Sequence, residues 1–386
     1  MTMLFFLTML FWISFVLVVY TYLGYPLCLA ILKKVRTRPV EKGFCQPQVS
    51  VVIAACNEEQ TIIRRIDNLL AQDYPSDKLE IIIVSDGSQD RTVEFARRVE
   101  GGNIKVVVLA QRQGKAVALN EGVSLASGEL VVFCDARQIF EEDTIRQLVV
   151  NFADQTVGCV SGELMLHRNR SDGIQVEMGA YWHYEKWIRR NESASGSVVG
   201  ATGAVYAIRR ILYRDLPHGT LLDDVMVPMQ VVMQGFRTVF DGSARAHDVV
   251  SHNVSQEWVR KVRTLAGNWQ LMSFLPILLA PWKNPCCWRF VSHKLLRLIV
   301  PIALVALVVS SALLDGLLYR CATWFQLFFY GISALGGAVP ATRNNRVVNL
   351  SYFFLIMNVV ALAGFWRWAT GRSNSVWQPA YVEDNE

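Results

Sequence analysis

The sequence predicts an α/β fold built around a doubly wound sheet with helices on both faces. Three apolar runs support this prediction: VSVVIAA at 49–55, EIIIVS at 80–85 and ELVVFC at 129–134. These runs are rich in β-branched residues and do not alternate with polar ones, which is typical of strands buried on both faces. Segments with helical periodicity separate them, and the short links between strand and helix predict right-handed crossovers within one sheet.

Apolar spacing and turn residues place the elements of this sheet domain. Ile62, Ile66 and Leu69 recur at helical spacing, and Tyr-Pro-Ser at 74–76 predicts the turn that follows. In the first half we expect strands at 49–55, 80–84, 104–109 and 130–134, and helices at 58–72, 88–100 and 115–126. In the second half we expect a strand at 158–166, a helix at 174–190, a strand at 205–208 and a helix that begins at Asp223.

An acidic residue follows each of the three apolar runs. Glu58 comes after the first run, Asp86 after the second and Asp135 after the third. Ligands of open α/β sheets bind in the crevice beyond the carboxyl ends of the strands. The three carboxylates are therefore expected to converge on one site, where they suit a ribose, a base edge and a metal-bound diphosphate.

Long charge-free segments flank the predicted sheet domain. Hydrophobic residues make up 52% of the chain, and no charged side chain precedes Lys33. About 20 apolar residues suffice to cross a bilayer, so we expect one spanning helix at 1–32 and three more at 291–370. A cleaved signal peptide is the alternative for the first, but a basic start and a small-residue cleavage site are both lacking.

Basic residues beside the predicted spans indicate the orientation of the chain. Residues 33–48 form a basic linker, and further basic residues precede the second span. The positive-inside rule then places the sheet domain, at 49–256, in the cytoplasm. Residues 257–290 are rich in Trp, Leu and Pro and are expected to lie along the membrane surface as amphipathic helices, whereas 371–386 form a tail.

Charge and cysteine content argue against two other classes of protein. The net charge of +5 comes mostly from the membrane flanks, so it favours anionic lipid head groups as a partner and not nucleic acid. The eight cysteines show neither a C-x-x-C pair nor a His–Cys spacing suited to zinc. We expect them to be small buried side chains in a reducing compartment.

Six short motifs give the chain a resemblance to a known family. They read CNEE at 56–59, DGSQD at 86–90, GKAVALN at 114–120, DAR at 135–137, LDD at 222–224 and HKLLR at 293–297. In this order and at these separations, they resemble the membrane-integrated family 2 glycosyltransferases, whose relatives make cellulose, hyaluronan, chitin oligomers and poly-N-acetylglucosamine. The resemblance implies a GT-A fold with a Rossmann-like mixed sheet, a nucleotide-diphosphate sugar as donor, and Mg²⁺ or Mn²⁺ as cofactor.

The resemblance assigns the donor side of the site to residues at the strand ends. Asn57, Glu58 and Asp86 are implied to hold the nucleoside, since carboxylates accept hydrogen bonds from uracil N–H groups and ribose hydroxyls. Lys115 is implied to reach the diphosphate. The structural alternatives are helix capping by Asn57 and Asp86, and an exposed surface position for Lys115.

The metal site is implied to centre on Asp135. Hard divalent cations take oxygen ligands and bridge phosphate oxygens, so this carboxylate suits Mg²⁺ or Mn²⁺. The D-x-D motif of the family ends here in Arg137, whose guanidinium cannot ligate a metal but can pair with a phosphate. His247 is a candidate for a later metal ligand, with a structural role as the alternative.

The acceptor side is implied by an acidic pair and a basic residue. Asp223 and Asp224 match the pair that activates the acceptor, with Asp224 as the general base, and two adjacent carboxylates predict a raised pKa for one of them. Arg263 is retained for contact with the diphosphate. Thr264 stands where processive relatives carry a Trp that stacks under the acceptor sugar, so a stacking platform is missing at this position.

The sequence therefore predicts an inverting glycosyltransferase at the cytoplasmic face of a bacterial plasma membrane. It would transfer a sugar from a UDP-sugar to a growing saccharide or a lipid-linked acceptor in exopolysaccharide or cell-envelope synthesis. The alternative is a catalytically weak subunit that binds nucleotide sugar and scaffolds the other subunits of a synthase complex. Arg137 and Thr264 favour the scaffold, whereas Lys115, Asp135 and Asp224 favour the enzyme. A transporter is disfavoured because the predicted spans lack charged residues.

Overall fold

The computed structural model of the protein describes residues 2–167, 175–249 and 254–372. Within these ranges the strands of one sheet are β1 (Val49–Ala55), β2 (Leu79–Asp86), β3 (Asn103–Leu109), β4 (Leu130–Cys134), β5 (Ile139–Phe140), β6 (Val157–His167), β7 (Tyr206–Arg209) and β8 (Arg237–Val249). Their order across the sheet is β3-β2-β1-β4-β7-β6-β8-β5. The α/β class predicted from the sequence is confirmed.

Four neighbouring strands form a parallel half of the sheet. β1 lies between β2 and β4, with Ile53 level with Ile83 on one side and with Cys134 on the other, and β3 pairs with the outer side of β2. Because these strands run in the same direction, their carboxyl ends lie at one edge. The segments that follow β1, β2 and β4 therefore emerge side by side, as the acidic strand ends predicted.

The other half of the sheet is mixed. β7 runs antiparallel to both β4 and β6, β5 runs antiparallel to β8, and β6 pairs in parallel with β8. The β6–β8 pairing contains a register shift between Ser161 and Glu163, where the ladder is locally interrupted. Strand–helix alternation thus describes only the first half, and the whole sheet matches the mixed arrangement that the family resemblance implied.

The helices of the described residues cover the sheet and extend from it. They are α1 (Thr2–Val19), α2 (Tyr25–Val35), α3 (Ile62–Leu70), α4 (Thr92–Arg98), α5 (Lys115–Ser124), α6 (Thr144–Val149), α7 (Gln175–Ser195), α8 (Asp223–Met233), α9 (Val254–Phe274), α10 (Cys287–Phe290), α11 (Leu296–Leu313), α12 (Leu317–Ala338) and α13 (Arg346–Ala369). The helix predicted at 88–100 occupies only α4. Its expected first turn is a loop instead, because Gln89 donates its backbone N–H to Asn57 and Asp90 accepts one from Glu59.

Alternate side chains of β2 explain why its sequence shows no polar alternation. Ile82 and Val84 belong to the apolar core on one face of the sheet, whereas Ile81 and Ile83 belong to the core on the other face. All four are at most 1% exposed. Each such buried side chain stabilises the fold by about 1.5–3 kcal/mol relative to an exposed position, so both faces require apolar residues.

Three helical segments are long and apolar enough to cross a membrane: Thr2–Val35, Cys287–Leu313 and Arg346–Ala369. A π-helical turn joins α1 to α2 in the first, and another joins α10 to α11 in the second. One of the three C-terminal spans predicted from the sequence falls on α12. This helix is not among the three segments, although its Phe325 and Phe328 are each 69% exposed. The number of spans stays a prediction.

A buried network of charged side chains joins α7 to the first two apolar segments. His293 places Nδ1 2.8 Å from Glu192 Oε1 and Nε2 3.0 Å from Glu185 Oε2. Tyr25 donates its hydroxyl to Glu192, and Arg297 donates to Glu185. The two glutamates are seven residues apart and therefore share one face of α7. Through this face α7 fixes the sheet domain against the apolar helices.

Candidate active site

Lys115 lies between two carboxylates that the sequence assigned to different parts of the site. Its Nζ is 3.0 Å from Asp135 Oδ1 and 3.4 Å from Asp223 Oδ2. Gly114, with φ of 97°, makes the turn that lets α5 begin at Lys115. Because Asp135 follows β4 and Asp223 begins α8, this contact brings the end of the sheet and the start of α8 together.

The pKa values of this group follow from its geometry. Burial lowers the pKa of Lys115, but the negative charges of Asp135 and Asp223 outweigh that effect and raise it above its ordinary value. For Asp135, burial acts in the opposite direction and raises the pKa. The Lys115 ammonium and the Arg137 guanidinium outweigh this effect and bring the pKa below its ordinary value. Asp135 is therefore ionised, and Lys115 carries its positive charge, throughout the physiological range.

Asp224 differs from its neighbours because its carboxyl group holds a proton more tightly. Burial and the adjacent Asp223 charge raise its pKa from 3.8 to about 6, as the paired carboxylates predicted. Its Oδ1 is buried and has no hydrogen-bond partner within the described residues. Gly203 leaves the space beside Oδ2, since a Cβ there would lie only 3.3 Å from this oxygen. A carboxylate with a pKa near neutrality and a free oxygen suits a general base.

Asp86 is placed at the strand ends but is bound to the backbone. It is fully buried, and it accepts the N–H groups of Gln113 at 2.6 Å and Gly114 at 2.8 Å. Gly87 adopts φ of 63°, and a Cβ there would lie 2.6 Å from Arg112 N, so only glycine fits this approach. The Asp86 carboxylate thus shapes the loop that leads into Lys115.

Asn57 and Glu58 also hold neighbouring loops together. Asn57 has a left-handed φ of 55°, which Asn tolerates better than most residues, and its Oδ1 accepts the N–H of Gln89 at 2.9 Å. Glu58 accepts a hydrogen bond from Thr61 at 2.7 Å, and burial raises its pKa. Both residues lie beside the ends of β1 and β2, as the sequence predicted. Their contacts with a nucleoside remain predictions.

Arg137 and His247 have protein partners. Arg137 NH2 lies 3.3 Å from Asp248 Oδ2, and Gln138 donates to the same oxygen at 2.9 Å. His247 Nε2 lies 2.9 Å from Glu141 Oε1. Because adjacent residues of a strand point to opposite faces, Asp248 faces the Asp135 loop through Arg137, whereas His247 faces Glu141. The role of His247 as a metal ligand stays a prediction.

The donor set near Asp135 suits a metal that is completed by substrate. Among the residues that the structure describes, no group of three or more His, Cys, Asp or Glu side chains is arranged to hold a metal ion. Mg²⁺ is commonly bound through one or two carboxylates together with phosphate oxygens, without a complete protein cage. The ionised Asp135 carboxylate fits that role, because its side chain is 28% exposed.

Arg263 reaches the same group from α9. It interacts electrostatically with Asp223, Asp135 and Asp224, while burial lowers its pKa from the ordinary value. Within the described ranges it forms no hydrogen bond or ion pair, so its guanidinium is available for a bound anion. Trp269, further along α9, does not serve the site: its ring stacks on Trp368 of α13 with centroids 5.7 Å apart.

Three cationic residues near the site were not identified from the sequence. Arg112 has buried Nε and NH2 atoms without hydrogen-bond partners in the described chain, and it directly precedes Gln113 and Gly114, which Asp86 holds. Arg189 of α7 donates to Thr202 Oγ1 at 2.8 Å, and Lys294 precedes α11. Lys294 lies in the HKLLR motif, but nothing local to the sequence indicates that it faces Asp224.

Comparisons with known proteins agree with this architecture. Residues 50–216 match the family model described as Glycosyl transferase family 2. The chain is similar to the poly-beta-1,6-N-acetyl-D-glucosamine synthases of Staphylococcus aureus (strain COL), with 27% identity over 229 residues, and of Staphylococcus epidermidis, with 24% identity. The alignment covers 58% of this chain and 55% of each synthase. The chain thus spans about half the length of the curated relatives it matches.

Among solved structures, the chain is similar to a mannosyltransferase from Pyrobaculum calidifontis, solved in complex with GDP-Man and Mn²⁺. The TM-score is 0.72 at 23% sequence identity, over 94% of this chain and 99% of that one. This likeness confirms the predicted fold, a GT-A-like mixed sheet flanked by apolar helices.

Proposed function

We propose that the chain is a family 2 glycosyltransferase that inverts the anomeric configuration and uses a nucleotide-diphosphate sugar, specifically a UDP-sugar. The acceptor is a growing saccharide or a lipid-linked sugar in cell-envelope or exopolysaccharide synthesis. The observation that carries the proposal is the position of Lys115 between Asp135 and Asp223, the residue that precedes Asp224. This arrangement supplies a positive charge for a leaving diphosphate and a base for an incoming hydroxyl at one place.

In the proposed reaction each of these residues has a separate task. The acceptor hydroxyl oxygen attacks the anomeric carbon of the donor, the bond from that carbon to the diphosphate breaks, and the hydroxyl proton passes to Asp224. Lys115 and Arg263 stabilise the negative charge that develops on the diphosphate. A single displacement of this kind inverts the anomeric configuration.

The proposal includes a divalent cation held by Asp135. Such a cation, when bound, neutralises charge on the departing nucleotide. Asp135 is the candidate ligand because its carboxylate is ionised and partly exposed at the end of β4. Arg137 cannot replace a second carboxylate ligand. Its pairing with Asp248 instead neutralises a negative charge beside the site.

The proposed location is the cytoplasmic face of the membrane. The three apolar segments support membrane integration by their length and composition. The basic residues that follow the first segment and cluster around the start of the second support a cytoplasmic position for the sheet domain. α7 and its charge network tie the active site to those segments, so chemistry at the membrane surface is consistent with the fold.

Nucleotide release tests the proposal. Protein purified in detergent is incubated with Mn²⁺ and a panel of nucleotide sugars that includes UDP-N-acetylglucosamine and GDP-mannose, and free nucleotide is measured. We expect release from a UDP-sugar, and we expect Asp224→Asn to abolish transfer while nucleotide still binds. Absence of turnover with every donor would refute the enzymatic function. Full activity of the Asn variant would refute Asp224 as the base.

A nucleotide-sugar-binding scaffold is the second candidate. The Arg137–Asp248 ion pair favours it, because the acidic residue expected at position 137 is replaced by a cation that already has a partner. The same assay separates the two candidates. A scaffold assayed alone would bind nucleotide without releasing it from any sugar.

A further inference from the structure

We propose that Arg189 and Lys294 form a phosphate-binding subsite on the acceptor side of Asp224, and that the acceptor is a sugar linked to a membrane lipid through phosphate. The inference rests on the proposed transferase function and adds the chemical class of the acceptor. Its basis is a pair of cationic side chains beside the base that have no carboxylate partner within the described residues.

The absence of a partner is unusual on this part of α7. Lys186 lies 2.7 Å from Glu163, and Arg190 lies 3.6 Å from the same carboxylate. Arg297, one turn after Lys294, pairs with Glu185. The surrounding cations are thus neutralised by the protein, whereas Arg189 and Lys294 form no ion pair in the described ranges. Two neighbouring cations that form no ion pair favour a bound anion.

The placement of Arg189 follows from its loop contact. Its NH1 donates to Thr202 Oγ1 at 2.8 Å, and the next residue, Gly203, lies against the Asp224 carboxylate. Consecutive Cα atoms are about 3.8 Å apart, so the Arg189 guanidinium and the Asp224 carboxylate lie against adjacent residues of one loop. Arg189 therefore stands beside the acceptor hydroxyl that Asp224 would deprotonate.

The placement of Lys294 follows from the charge network. Its neighbour His293 is fixed between Glu185 and Glu192 of α7. Arg189 lies four residues after the first glutamate and three before the second, so it shares their face of the helix. Lys294 consequently faces Arg189, and the two cations interact electrostatically with each other and with Asp224.

These cations are assigned to the acceptor because Lys115 and Arg263 already serve the donor diphosphate in the proposed reaction. Lys115 contacts Asp135 and Asp223, the side on which the nucleotide diphosphate is proposed to bind. Lys294 belongs to the apolar segment Cys287–Leu313, so the subsite lies against a proposed membrane helix. A phosphate at this position suits a lipid-linked saccharide. Its sugar hydroxyl would reach Asp224 while its phosphate binds Arg189 and Lys294.

Three acceptors separate phosphate from lipid. The first is a polyprenyl diphosphate-linked monosaccharide. The second is the octyl glycoside of the same sugar, which has an alkyl chain but no phosphate. The third is the sugar 1-phosphate, which has phosphate but no lipid. With the donor identified in the panel, we expect the first to show a KM at least about tenfold lower than the others. The octyl glycoside lacks the charge-assisted hydrogen bonds, each of which strengthens binding by about that factor or more, and the sugar 1-phosphate lacks the lipid.

Variants test the residues directly. We expect Arg189→Gln and Lys294→Gln each to raise the KM for the diphosphate-linked acceptor about tenfold without changing the KM for the donor. Arg189→Lys, which keeps the charge, should restore part of the affinity. Arg190→Gln is the matched control, since it removes an adjacent guanidinium that already pairs with Glu163. An unchanged KM in both Gln variants, or an equal rise in the control, would overturn the subsite.

The outcomes also separate this inference from the proposed function. Efficient transfer to the octyl glycoside would overturn the phosphate subsite while leaving the transferase intact. Equal use of the sugar 1-phosphate would overturn the lipid as the source of the phosphate. A protein that releases nucleotide from no donor would instead refute the function on which the inference rests.

Discussion

The pKa of Asp224 makes transfer dependent on pH in a direction that can be calculated. A general base acts in its ionised form, and a carboxyl group with a pKa of about 6 is ionised to about 90% at pH 7 and about 10% at pH 5. We therefore expect kcat/KM to fall about tenfold between these values. An unperturbed aspartate, with its pKa of 3.8, would remain ionised throughout and give no such fall.

Charge variants should move this midpoint in opposite directions. The rise in the pKa of Asp224 by about two units corresponds to about 3 kcal/mol, to which burial and then Asp223 contribute. Asp223→Asn removes a negative charge and should shift the midpoint to lower pH. Lys294→Gln removes a positive charge that lowers this pKa and should shift it to higher pH.

The assay is the initial rate of nucleotide release between pH 4.5 and 8 at fixed metal and subsaturating donor. Asp315→Asn is the control, since this acidic side chain is 98% exposed and its only ion pair in the described chain is with Arg320. A profile that is flat between pH 5 and 7 would refute the assignment of Asp224. So would shifts of the two variants in the same direction.

Three further substitutions test the geometry of the site and its support. Lys115→Met should lower kcat/KM by about two orders of magnitude, because it removes the positive charge that contacts Asp135. Gly203→Ala should lower kcat but leave nucleotide affinity by calorimetry intact, because its Cβ would stand 3.3 Å from Asp224 Oδ2. His293→Leu should lower the melting temperature in detergent, since it removes the hydrogen-bond partner of two largely buried glutamates, and each unsatisfied buried group costs about 1–3 kcal/mol.

Each substitution has a control of the same type. Lys105→Met removes an ammonium that pairs with Glu80 away from the site, and it should leave kcat/KM unchanged. Gly331→Ala adds a Cβ with no atom within 4 Å, and His218→Leu changes an exposed histidine. Losses in the controls that equal those in the variants would contradict the assigned roles.

The positions of the strand-end acids were predictable because they depend on local patterns. Buried parallel strands are recognisable in the sequence as apolar runs, and their carboxyl ends must lie at one edge of the sheet. Glu58, Asp86 and Asp135 follow from that rule alone. The start of α8 at Asp223 was likewise predictable, since an acidic pair before an apolar helix is a local signal.

The partners of these side chains were not predictable, because they come from distant parts of the chain. Arg137 pairs with a residue 111 positions later, Asp248, and no spacing rule connects them. Asp86 is occupied by backbone N–H groups whose direction depends on a glycine turn. Lys294 faces Arg189 only because His293 is held by two glutamates on another helix. Motif spacing identifies which residues meet, whereas tertiary packing decides what each one contacts.

Cations lie near both carboxylates of the acidic pair, so a bound substrate that offsets their charge should change the pKa of Asp224. Lys294 and Arg189 lower the pKa of Asp224 in the free protein, and a phosphate bound to them would offset their charge. Because kcat reports the complex and kcat/KM the free enzyme, we expect the acid limb of kcat to lie at higher pH with the diphosphate-linked acceptor. With the octyl glycoside the two limbs should coincide. Coincident limbs for both acceptors would contradict this coupling. If the acid limbs of kcat and kcat/KM differ for the diphosphate-linked acceptor, the phosphate of the acceptor raises the pKa of Asp224 only in the complex, where the acceptor hydroxyl is in place.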